Sequence, residues 1–200
     1  MDSEIPPITS GACVTRLWKY RADRSTRWSR RSWRTARDFE LRKRLLADLR
    51  RIDLSDARVL LKDGSWQDGR PKLYLIWKAL EMRRESPKLF EDGGYLALRA
   101  VGERREHIVA FARRHGREVA ITVAPRLYAK MMDAEGPLVA APEAWGDTFI
   151  LLPDDLAEVS CRNVLTGEIV VAEEHNGEVS LGIGRLLRNF PVALLGTGAR

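Results

Sequence analysis

The sequence predicts an α+β fold: helices as far as residue 92, then a small antiparallel β-sandwich over 93–200. Three observations carry this. Apolar residues recur at helical spacing through 38–61 and again through 73–82. From Tyr95 onward the pattern changes to short alternating runs separated by turn residues. Between these halves lies a single long helix bracketed by Pro71 and Pro87.

That helix is the hinge of the chain. Asp68-Gly69 makes a turn, and Pro71 is tolerated in the first turn, where an N–H has no intrahelical partner. Leu73, Ile76, Trp77 and Leu80 follow at i, i+3, i+4 and i+7, one apolar face, with Leu75, Ala79 and Met82 widening it. Pro87 stops the helix, because the residue before a proline is pushed out of the α region.

Upstream, DFELRKRLLADL (38–49) predicts an amphipathic helix capped by Asp38, with Phe39, Leu45, Leu46 and Leu49 near one face. A short helix over 54–61 should turn Ala57, Leu60 and Leu61 inward. Downstream, strands are expected at 95–101, at 107–113 and 118–124 around a His115-Gly116 hairpin turn, and at 148–152. A strand–turn–strand is expected over 164–171, then a strand at 178–181, a helical turn at 183–187 and a closing strand at 191–195. Residues 125–142 read as a long connection with a helical turn near Leu127–Met132.

Charge is unevenly spread. The net charge is +6, but residues 16–37 hold eight Arg and one Lys against Asp23, whereas Asp2 and Glu4 make residues 1–15 acidic, so residues 38–200 balance to zero. Only the arm RLWKYRADRSTRWSRRSWRTAR can support an electrostatic argument. It is open to three readings: a nucleic-acid-binding arm that uses phosphate contacts and stacking, a targeting leader, or an end without a role. No nucleic-acid-binding motif accompanies the charge, and nucleic acid is not the expected partner. Cys13 and Cys161 lack ligand spacing, which points to the reducing cytoplasm, and no apolar run is long enough to span a membrane.

Chemistry-bearing residues are sparse. His107, His115 and His175 have no carboxylate or thiol at ligand spacing, so neither a metal nor a catalytic triad is expected. Gly182-Ile183-Gly184 is too short to cradle phosphate, and no cofactor is expected. Asp154-Asp155 and Glu173-Glu174 are paired in sequence only, since neighbouring strand residues face opposite ways. The cluster Trp66, Asp68, Arg70 and Lys72 combines an aromatic ring with fixed hydrogen-bonding charges, which is what a sugar requires. Its plainer reading is a turn before a helix with solvated charges.

A long helix ending in charges and a proline, followed by an antiparallel β domain, resembles the end of an α-amylase-class glycoside hydrolase. More specifically, the chain resembles the C-terminal part of the maltooligosyl trehalose synthase family (glycoside hydrolase family 13). The matching stretches are DFELRKRLLADL (38–49), DGRPKLYLIWKALEMRRESPKLF (68–90), GYLAL (94–98), HIVAFARRHG (107–116), WGDT (145–148), NVLTG (163–167) and FPVALL (190–195), in that order.

The resemblance implies that residues 38–92 are the helical remnant of the end of a (β/α)8 barrel. The family converts the terminal α-1,4 linkage of a maltooligosaccharide into an α,α-1,1 linkage by intramolecular transglucosylation in trehalose biosynthesis. Its retaining chemistry needs two carboxylates at the ends of upstream barrel strands. No position here corresponds to them, so no catalytic residue is assigned and the chain alone is expected to be inactive. A maltooligosaccharide or α-glucan is the implied ligand, and a separately encoded barrel fragment an implied partner. Trp66, Asp68, Arg70 and Lys72 would then stand on the substrate face, since loops leading into barrel helices lie there. Residues 1–37 do not match the family's acidic rim loop and are expected to be out of frame or fused. A stand-alone carbohydrate-binding β module is the alternative reading.

Overall fold

The computed structural model describes residues 36–51, 54–61, 68–127, 139–157, 160–175 and 177–197. The basic arm, apart from Ala36 and Arg37, and residues 128–132 of the expected helical turn lie outside these. The architecture is α+β, with helices and two antiparallel sheets.

The first helix, α1 (Ala36–Leu49), starts two residues before Asp38, so Asp38 lies inside its first turn and is not the cap. Leu49 is fully buried, Leu45 and Leu46 are half-buried, and Phe39 stays exposed. A 3₁₀ helix over Leu54–Leu61 buries Ala57 and Leu60 as expected. Then come α2 (Arg70–Glu85) and α3 (Pro87–Glu91). Pro87 both ends one helix and begins the next, because its fixed φ suits a first helical position.

Helix α2 is rotated from the predicted orientation. Its buried residues are Tyr74 and Met82, whereas Ile76 and Leu80 of the predicted face are 45% and 59% exposed, and Leu73 and Trp77 are half-buried. Tyr74 decides this. Its hydroxyl donates to the Leu165 carbonyl at 2.8 Å, and its ring meets Trp77 edge-on and Phe190 at a tilt. An aromatic body with a polar tip can be buried once the tip is satisfied.

Ten strands follow among the described residues: β1 (Gly94–Leu98), β2 (Ala100–Val101), β3 (Ile108–His115), β4 (Glu118–Pro125), β5 (Phe149–Leu151), β6 (Cys161–Asn163), β7 (Ile169–Val170), β8 (Glu173–His175), β9 (Glu178–Gly182) and β10 (Ala193–Gly196). The larger sheet has the order β1-β3-β4-β10-β6-β7 and the smaller β2-β5-β9-β8. The expected single strand at 95–101 is thus two: the chain leaves the large sheet after Leu98 and enters the small one at Ala100. His115 is the last residue of β3, paired with Glu118, so the hairpin turn is Gly116-Arg117. The first strand of the expected 164–171 pair ends at Asn163, and 164–166 form the turn.

The large sheet is apolar on both faces. On β4, Val119, Ile121 and Val123 join Ile150 and Leu181 of the small sheet and Trp145 in a core between the sheets. Ala120, on the opposite face, joins Leu194 of β10 in a second cluster with Leu49, Leu60, Tyr74 and Leu89 of the helical layer. Period-two alternation thus puts the large sheet between the helices and the small sheet. Short helical segments complete the β half: 3₁₀ turns at Arg105–His107 and Pro142–Trp145, α4 (Asp154–Ala157) and α5 (Ile183–Leu186).

Candidate functional site

At the start of α2 the described members of the sequence-predicted cluster stand within five residues. Gly69 adopts φ 84°, the left-handed region, and turns the chain into the helix without a side-chain cap. Asp68 Oδ1 accepts from the Arg70 backbone N–H at 2.9 Å, and Oδ2 accepts from Arg70 Nε at 2.6 Å. The carboxylate therefore satisfies a backbone donor of the first turn and holds the guanidinium beside it. Side-chain exposures of 36% and 37% keep both at the surface. Lys72 is exposed one turn along. Trp66, the aromatic member, lies outside the described residues. The described part is a charged rim able to hydrogen-bond hydroxyl groups, and the Asp68–Arg70 pair also shapes the turn.

A second polar cluster was not read from the sequence. Glu168, after the 164–166 turn, accepts from Thr166 Oγ1 at 3.0 Å and Asn189 Nδ2 at 2.8 Å, and pairs with Arg188. Burial alone would raise its pKa, but the hydrogen bonds from Arg188, Asn189 and Thr166, with the Arg188 charge, hold it below the usual carboxylate range. Arg185 pairs with Glu173. Glu168, Glu173, Arg185 and Arg188, with Ile169 and Val171, line an open groove of about 260 Å³. Glu168 and Arg188 are twenty positions apart, and no spacing rule links them; only the fold does.

What this groove can do follows from its charges. A glycosidase acid must keep its proton near neutrality, which needs a raised pKa. Glu168 is shifted the other way, so it suits a fixed ionic contact and not proton donation, while Glu173 pairs with the Arg185 guanidinium. His107 Nδ1 lies 3.3 Å from the Arg126 carbonyl, His175 stacks on Phe149 at 4.1 Å, and His115 is exposed at the end of β3. Among the described residues, no group of three His, Cys, Asp or Glu is placed to hold a metal ion. Cys161 is a buried free thiol, with its pKa pushed up to about 11 by burial. Among the described residues, no helix is long and apolar enough to cross a membrane.

On the helix side of the large sheet, at its β1 edge, Tyr95 of β1 and Phe111 of β3 stack at 5.3 Å with their planes 28° apart. Tyr95 is 64% exposed. Here an aromatic surface faces solvent.

No protein-family model and no curated protein matches the chain. Among solved structures, the chain is similar to a noncanonic maltogenic α-amylase, AmyB from Thermotoga neapolitana, at 16% identity and a TM-score of 0.38. The match covers 62% of this chain and 24% of that one, so the chain spans about a quarter of the enzyme's length. A likeness of this size carries no conclusion about family or activity.

Proposed function

We propose that the chain is the C-terminal module of a cytoplasmic transglucosylase of the maltooligosyl trehalose synthase family, acting on maltooligosaccharides in trehalose biosynthesis. In this reading residues 38–92 are the helical end of a (β/α)8 barrel, 93–200 are the β domain behind it, and 1–37 fall outside the family's pattern. The module completes and braces the barrel; the catalytic carboxylates come from elsewhere.

One observation carries the reading. Helix α2 is packed on the β half through Tyr74 and Met82 while Ile76 and Leu80 stay exposed, as are Phe39 and Leu41 on α1. A helix layer with apolar residues on both sides is what a wall between a barrel and a β domain requires. The seven ordered stretches quoted above point the same way. Asp68, Arg70 and Lys72, with Trp66, are assigned to hold saccharide hydroxyls on the barrel's substrate face.

The test is formation of the α,α-1,1 linkage from maltopentaose, by the chain alone and mixed with a separately expressed barrel fragment. Activity only in the mixture supports the proposal, and Lys72→Ala in that mixture should raise KM with little change in kcat. Activity from the chain alone, or none from a soluble mixture, refutes it.

The Tyr95–Phe111 stack favours a second reading, a stand-alone carbohydrate-binding module, because pyranose faces stack on aromatic rings. Retention on immobilised α-glucan, lost in Tyr95→Ala, would support that reading over the first.

A further inference from the structure

We propose that β1 is a self-pairing edge, through which two copies of this chain join their large sheets into one continuous antiparallel sheet.

Among the described residues, the sheet edges are β1 and β7 in the large sheet and β2 and β8 in the small one. An edge strand presents unpaired N–H and C=O groups, and proteins blunt such edges by shortness, charge or proline. Three of the edges here are blunted. Strands β2 and β7 have two residues each, and β8 has three, two of them the exposed carboxylates Glu173 and Glu174. Strand β1 departs from this: Gly94-Tyr95-Leu96-Ala97-Leu98 has five residues, no charge and no proline. Its first four residues are exposed, with Leu96 at 43%.

The occupant follows from the strand's own sequence. A two-fold axis through Leu96 lets all five residues pair antiparallel with the same strand of a second copy. In that register Gly94 opposes Leu98, Tyr95 opposes Ala97 and Leu96 opposes itself. Each large side chain meets a small one except at the axis, where two half-exposed leucines extend the core between the sheets. Because β1 carries no charge, self-pairing sets no like charges against each other, as the carboxylates of β8 would. Isologous contact of this kind closes after two copies.

Sedimentation equilibrium of the full chain over a concentration series tests this. The expected result is a reversible monomer–dimer equilibrium. Leu96→Lys places two ammonium groups at the axis and should weaken the dimer about ten-fold or more. Leu80→Lys, on the bare side of α2, and Glu174→Ala, on the β8 edge, should leave it unchanged. Should Leu96→Lys not fold, amide exchange of the native chain decides: amides in 94–98 should gain protection with concentration. A chain that stays monomeric throughout overturns the proposal. So does a dimer lost in Leu80→Lys and kept in Leu96→Lys, or protection elsewhere with none in 94–98. These outcomes are independent of whether the trehalose-linkage assay succeeds.

Discussion

Glu168 shows how much one side chain can organise. It draws Thr166, Arg188 and Asn189 onto one carboxylate and so ties the 164–166 turn to the segment before β10. Glu168→Gln should cost about 1.5–3 kcal/mol at pH 7, the range for hydrogen bonds to a charged group, read from urea unfolding. Its folded pKa lies below the unfolded value, so its stabilisation is present above the unfolded pKa and is lost as pH falls through the folded one. Variant and native chain should therefore begin to converge as pH falls past the unfolded carboxylate value of about 4.3, and meet only once it is below the folded one. Tyr74 is the second such residue, with its phenol pKa raised, first by burial and then by the Glu81 charge. Tyr74→Phe leaves the Leu165 carbonyl without this donor inside the protein and should cost about 1–2 kcal/mol in the same assay. Neither role was legible in the sequence, because each depends on a partner at least twenty positions away. The Asp68–Arg70 contact spans two residues and sits beside a visible Asp-Gly turn, so this part of the candidate site could be read directly.

Among the elements, those with strong periodicity were read correctly and those set by tertiary contacts were not. The α2 span and the 3₁₀ segment followed from Pro71, Pro87 and the Ala57–Leu60 spacing. The rotation of α2 did not, since counting only aliphatic and Trp side chains leaves out Tyr74. The break at Arg99 was hidden because β1 and β2 read as one run; it is visible only once β1 pairs with β3 and β2 with β5. Just past that break, Gly102 takes φ 97°, and a Cβ there would stand 2.2 Å from the Asp147 carbonyl oxygen. Since both the backbone angle and the contact oppose a side chain, Gly102→Ala should lower stability by about 1–3 kcal/mol or more. A thermal melt checks this, with Gly116→Ala as a control for positive φ where nothing lies within 4 Å of the added carbon.

For the whole molecule, the three layers divide the labour: the small sheet closes the core, the large sheet is shared, and the helices offer a further apolar side. Ile76→Lys together with Leu80→Lys should leave the melting temperature of the isolated chain within about 2 °C, as exposed substitutions do. The same pair should abolish recovery of activity with a barrel fragment, if that side is where the barrel packs. The order of strands also bears on how the chain is made. Strand β10 lies between β4 and β6, so the large sheet stays split until residues 193–196 arrive. On a ribosome, the β3–β4 hairpin would wait with one flank unpaired while some seventy further residues are synthesised. A message interrupted shortly before codon 193 would therefore yield not a slightly shorter protein but two loose half-sheets, apolar on both faces and ready substrates for chaperones or proteases.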